Sequence, residues 1–241
     1  MDRALWITWY DLPAEGRDAH LAWVHRSYAP QLLARPGFVW AAHFASERKS
    51  AHAHPYPGRF ADDIPAGNDF LLLFGAESAE AFARPVPAKL HAALPASDRD
   101  MLAMRSGARS HIFIEETRAD GPEAGTRDPD AALSPCIQVG TVNARDYRDE
   151  DELLDWYANW RIPSMQTLPG CVGVRKLVSV SGWAKHGVVY EFVSVEARNT
   201  HFLGYEKAHP EMNAWSNRLI PKLRHAPGSA NVARRIWSRV K

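Results

Sequence analysis

LAWVHRSYAPQLLARPG, residues 21–37, returns in outline as LDWYANWRIPSMQTLPG at residues 154–170. At one offset of 133, Leu21, Trp23, Pro30, Pro36 and Gly37 match Leu154, Trp156, Pro163, Pro169 and Gly170. Average residue usage gives roughly one identity in a stretch of this length, so the match reads as an internal duplication. The same offset runs outward without a gap from Thr8/Thr141 through Asp18/Asp151. Each run has the apolar spacing of a helix: Leu21, Val24, Tyr28 and Leu32, then Leu154, Tyr157 and Met165. The interior proline predicts a kink or break, and Pro-Gly predicts the end of each helix.

Short aromatic and β-branched runs flank both helices and predict strands. ALWITWY (4–10), FVWAAHF (38–44), DFLLLFG (69–75) and SHIFIEE (110–116) belong to the first copy. IQVGTV (137–142), CVGVRKLVSV (171–180), VVYEFVSV (188–195) and ARRIWSR (233–239) belong to the second. With helical stretches near 78–105 and 196–225, the order is βαββαβ twice, the ferredoxin-like arrangement. Such a sheet has helices on one face only, and two of them can cover each other's bare faces. The expected fold is therefore α+β: two tandem ferredoxin-like repeats whose antiparallel sheets pack face to face as an intrachain α+β barrel. The repeats are placed at residues 1–117 and 135–241, joined by a Gly-, Pro-, Asp- and Ala-rich linker at 118–134.

Composition narrows the function classes. The 241 residues carry 29 basic and 28 acidic side chains, net +1, with no basic run to serve a nucleic acid. No apolar stretch approaches the roughly 20 residues that span a bilayer, and the N-terminal residues lack a signal-peptide pattern. Cys136 and Cys171 are the only cysteines and are expected as buried thiols. The chain thus reads as soluble and cytoplasmic. Nine tryptophans offer material for a core or for the walls of a pocket that takes a flat ligand.

The stretch WVHRSYAPQLLARPGF, residues 23–38, resembles the EthD-like and antibiotic-biosynthesis-monooxygenase-like members of the dimeric α+β barrel superfamily. Those members show a tryptophan, a His-x-Pro-Leu and then Pro-Gly. The resemblance implies a substrate cavity between helices and sheet, and activities that include cofactor-free oxygenation, cyclisation, isomerisation, lyase cleavage and haem binding. The family's histidine slot holds Tyr28 here in one copy and Arg161 in the other, so that histidine's role does not transfer.

On a helical wheel of about 100° per residue with Leu21 at zero, His25 falls near 40° and Tyr28 near 340°, on the stripe expected to meet the sheet. An imidazole exchanges protons near neutral pH and a phenol can donate to a developing oxyanion. His25, Tyr28 and, on the next strand, His43 are therefore the catalytic candidates. Trp6, Trp9 and Trp40 are candidate apolar walls, and Arg161 is a candidate partner for an anionic group. The loop at 46–68, with His52 and His54, is far longer than its counterpart at 181–187 and is a candidate lid that contacts substrate. The HAH run lacks partners at metal-ligand spacing, so no metal is expected. His186, His201, His209 and His225 are the second-half histidines open to a haem, without a motif to select one. Phosphate-binding glycine motifs and a GxSxG elbow are absent.

These residues point to a cofactor-independent enzyme acting on a small aromatic or polyketide-like compound by proton transfer, as a lyase, isomerase or cyclase. A cofactor-free monooxygenase, a non-catalytic barrel that binds a small apolar molecule, and a haem protein are the alternatives. A homodimer is compatible with each.

Overall fold

The computed structural model describes residues 2–47 and 60–241. The first unit runs β1 (Ala4–Asp11), α1 (Arg17–Trp23), a π-helical turn (Val24–Tyr28), α2 (Ala29–Leu33), β2 (Phe38–Ser46), β3 (Phe70–Ala76), α3 (Pro87–Ala92), α4 (Ala96–Ala103) and β4 (Ser106–Asp120). The second runs β5 (Cys136–Ala144), α5 (Glu150–Trp156), a π-helical turn (Tyr157–Arg161), α6 (Ile162–Met165), β6 (Cys171–Ser181) and β7 (His186–Phe192). It ends with α7 (Val195–Ala197), α8 (Pro210–Leu219), β8 (Leu223–His225) and β9 (Asn231–Val240). Within the units the strands lie in the orders β4-β1-β3-β2 and β9-β5-β7-β6, the ferredoxin-like arrangement.

The two sheets face each other, as the strand pattern predicted, and they are also joined edge to edge. β4 pairs antiparallel with β6, and β2 with β9. With β5 paired to β7, eight strands close into one barrel. The unpaired N–H and C=O groups that each isolated sheet would expose at its edges are satisfied by the other sheet.

Alternation along each strand sorts side chains into three cores. Leu5, Ile7, Trp9, Phe44, Leu71, Leu73 and Phe113 fill the barrel lumen together with Ile137, Val139, Leu177 and Val189 of the other half. Every one of these is at most 1% exposed, so the lumen is a packed core. Ala132 and Leu133, from the segment between the units, join that core. Trp6, Tyr10, Ala41 and Phe74 point outward and pack under the first unit's helices, as Val142, Val174 and Tyr190 do under the second's.

Local irregularities recur 133 residues apart. The π turns at 24–28 and 157–161 correspond, and each precedes a proline, Pro30 or Pro163, early in the next helix. Proline has no N–H for the regular ladder, and the helix breaks into a π turn just upstream of it. β2 slips its register between Phe38 and Trp40, and β6 between Cys171 and Gly173. The first strands depart from the offset. Thr8 sits between lumen residues Ile7 and Trp9 and so faces the helices, whereas Thr141 precedes helix-facing Val142 and faces inward. The sequence alignment of Thr8 with Thr141 is thus one residue out, because a strand's two faces alternate. By face, Tyr10 corresponds to Val142.

Gly75 on β3 lies opposite Trp40 on β2. A Cβ at Gly75 would lie 2.2 Å from the Trp40 indole. Trp40 is anchored by its Nε1–H donating to Asp2 at 2.9 Å. Gly75→Ala is therefore expected to lower stability by about 1–3 kcal/mol. Trp40→Leu in the same background should recover part of that in urea unfolding. An unchanged midpoint for Gly75→Ala would refute this account of the contact.

Candidate functional site

The outer face of the first sheet carries a cluster of buried polar groups. Tyr10 and His43 project from β1 and β2 toward the helices, and the π turn lowers His25 and Tyr28 onto them. His25 Nε2 lies 2.9 Å from His43 Nδ1, and His43 Nε2 lies 2.8 Å from the Tyr10 hydroxyl. Tyr10 and His43 are fully buried, whereas His25 is half-buried and forms the outer end of the chain. Beside it, the Tyr28 hydroxyl lies 2.7 Å from His91 Nε2 on α3. Arg105, between α4 and β4, holds its guanidinium 4.4 Å from the Tyr10 ring centre and 5.2 Å from that of Tyr28. Its Nε–H points to His20 Nε2 at 3.4 Å.

Burial dominates the electrostatics of this cluster. It pushes the Tyr10 and Tyr28 phenols up to about 12, so both stay protonated. Burial, followed by the charge of Arg105, brings His20 and His91 down to about 4. His43 is held well below its ordinary value by burial and then by His25 and Arg105, and His25 is lowered by burial. The imidazoles are therefore neutral at pH 7, each with one donor and one acceptor nitrogen. Two proton arrangements satisfy the chain. In one, His25 Nε2–H donates to His43 Nδ1 and His43 Nε2–H donates to the Tyr10 oxygen. His25 Nδ1 is then a free lone pair at the partly open end, the form of a general base. In the other, every donor and acceptor is reversed.

Two buried donors nearby, Trp6 Nε1 and Arg105 Nη2, have no hydrogen-bond partner among the described residues. An unmet buried donor costs about 1–3 kcal/mol. A shallow cavity of about 210 Å³ opens between α2 and α3, walled by Leu32, Leu90 and Leu94, and none of the clustered histidines or tyrosines lines it.

The structure brings together His25, Tyr28, His43 and Trp6 of the residues singled out from sequence. Trp9 and Trp40 lie apart, in the lumen core. His52 and His54 fall outside the described residues. Arg161 is buried in the second half, where its Nε–H donates to the Tyr190 hydroxyl at 2.9 Å and its Nη1 pairs with Glu206 at 2.8 Å. Its charge is met by the protein itself. Sequence reasoning missed Tyr10, His91, Arg105 and Trp237. The alternation of ALWITWY signals that Tyr10 shares a face with Trp6; the other three had no local signal.

At the place of His43 the second half carries Lys176, 1% exposed. Its ammonium donates to His186 Nδ1 at 3.0 Å and to Glu116 at 3.1 Å, and His186 Nε2 contacts Glu150 at 2.6 Å. An ammonium can only donate, so the proton of neutral His186 sits on Nε2. Both ring nitrogens of His186 are thus committed, which does not fit an axial haem ligand. His209 lends its Nδ1 to the Tyr205 carbonyl. No cluster of three or more metal-ligating side chains occurs among the described residues, and no helix among them is long and apolar enough to cross a membrane.

No protein-family profile and no curated protein sequence matches the chain. Solved structures do match it in fold. An anthrone oxidase-like protein superposes with a TM-score of 0.61 at 12% identity, covering 100% of this chain and 94% of that one. A provisionally assigned monooxygenase from Fusobacterium nucleatum subsp. nucleatum gives 0.58 at 9% identity, covering 100% and 95%. Another from Lactobacillus acidophilus gives 0.57 at 10% identity, covering 100% and 97%. The chain has the dimeric α+β barrel fold, with both barrel units in one polypeptide.

The depressed histidines make stability fall in acid. His20 and His91 stay neutral in the fold to about pH 4, whereas unfolded histidine takes up a proton near 6.5. Their contribution is fully present above about pH 6.5 and is lost as the pH falls toward 4. Urea midpoints should therefore drop between pH 7.5 and pH 5, and His20→Gln should flatten that slope. A midpoint that is level across this window contradicts the buried neutral cluster.

Proposed function

We propose that the chain is a cofactor-independent enzyme that removes a proton from an activated position of a small aromatic or polyketide-like compound. The observation that carries this reading is the His25–His43–Tyr10 chain, with bonds of 2.9 and 2.8 Å, buried at one end and partly open at the other. The bond to His43 holds the orientation of the His25 ring, and the working form is the arrangement in which His25 carries its proton on Nε2. His25 Nδ1 accepts the proton of the substrate and becomes an imidazolium that still donates from Nε2 to His43. Burial keeps the base neutral beforehand, and burial together with the charge of Arg105 keeps the neighbouring imidazoles from competing for the proton.

The carbanion has two fates. Reprotonation at another atom, or loss of a leaving group, makes the protein an isomerase, cyclase or lyase. Reaction of the anion with dioxygen makes it a monooxygenase, a second reading favoured by the monooxygenase and anthrone oxidase-like proteins that share the fold.

Proton abstraction is directly measurable as exchange of substrate C–H for C–D in D₂O, whatever follows it. A panel of β-diketones, naphthols and hydroxyanthrones followed by NMR, with an oxygen electrode in parallel, separates the two fates. His25→Ala should slow exchange by about 10²–10⁴-fold, Tyr10→Phe should slow it less, and Ala158→Ser should leave it unchanged. Wild-type protein that accelerates exchange of no compound in the panel, or His25→Ala protein as fast as wild type, overturns the proposal.

A further inference from the structure

The Trp237 side chain projects from β9, in the second half, onto the outer face of the first. Its residue is the direct cross-strand partner of His43. Its indole lies parallel to the His25 imidazole, 5° from coplanar, with ring centres 5.2 Å apart. His25 is thus held on its edge by His43, with the two rings at 74°, and on its face by Trp237. We propose that Trp237 is a positioning residue for His25: it holds the ring against His43 and supports the imidazolium formed when His25 takes a proton. This rests on the reading of His25 as a base.

Three observations carry the assignment. An indole face attracts a cation, and parallel stacking on the larger indole restricts rotation about the His25 side chain. The surrounding charges do not offer that support. His43 and Tyr10 behind His25 are neutral, and His20, one turn earlier on the helix, is neutral too. Arg105 beyond them is cationic, and alternation puts Arg239 on the same face of β9 as Trp237; both oppose a proton on His25. Finally, the second half offers an internal comparison. At the matching positions, His25 becomes Ala158, His43 becomes Lys176, and the cross-strand partner of Lys176 is Thr117 rather than a tryptophan. The stacking indole is present where the histidine is present and missing where it is missing.

The test needs no substrate. Histidine side-chain ¹H–¹⁵N NMR on the full chain, with His25 assigned by its loss in His25→Gln, gives the titration midpoint of His25. Trp237→Leu keeps an apolar cover and deletes the π face. It should lower that midpoint by about half a pH unit, and Trp237→Phe should restore most of the shift. Trp237→Met is the second apolar variant should the leucine protein fail to fold by circular dichroism. A midpoint that stays put or rises in a folded Leu or Met variant overturns the assignment. Absence of proton exchange in the wild type would defeat the proposed activity while leaving this result standing.

Discussion

Closure of the barrel across the two units is the constraint from which the rest follows. β4 and β9 each leave their own sheet's pattern to pair with the second strand of the other unit, and no barrel strand is left with an open side. Closure at eight strands leaves a lumen that side chains fill, and here Trp9, Phe44, Phe113 and Leu177 fill it. The middle of the lumen is therefore filled by apolar side chains, with His111 and Arg109 packed against Trp9 beside them. Tyr10, His43 and Lys176 lie instead in the two layers between sheet and helices.

Those two layers are built on one plan and charged differently. In the first, one guanidinium sits among neutral imidazoles and protonated phenols, a composition that leaves bases unprotonated and donors unmet. In the second, Lys176, Arg161, Glu116, Glu150 and Glu206 satisfy one another through pairs of 2.8–3.1 Å or through His186. A buried pair so matched is costly to break and has little capacity to accept a proton. The first layer leaves buried polar groups unmatched, and the second pairs them off.

Much of the fold was legible because the physical signals were local. The Pro-Gly ends, the helical spacing and the period-two strands each lie within a few residues of one another. The shared positions of Pro30 and Pro163 even carry the site of the π turns, although not their nature. What escaped was nonlocal. The one-residue difference between β1 and β5 is invisible until the faces of both strands are known. The site shows the same division. His25, Tyr28 and His43 could be found because they sit on elements with clear periodicity. His91, Arg105 and Trp237 could not, since 63 residues separate Tyr28 from His91 and no pattern in the chain relates them. Trp9 and Trp40 show the converse error: a tryptophan count cannot tell a pocket wall from a core.

The pairing of β2 with β9 also bears on how the protein reaches its working state. His43 and Trp237 are neighbours in space and nearly the whole chain apart in sequence. Contacts of such separation form late, because the entropy of closing a long loop must be met before they give anything back. Until the second unit pairs with the first, His25 has one face bare. The packing around His25 is thus completed only when the two ends of the chain meet, β2 against β9.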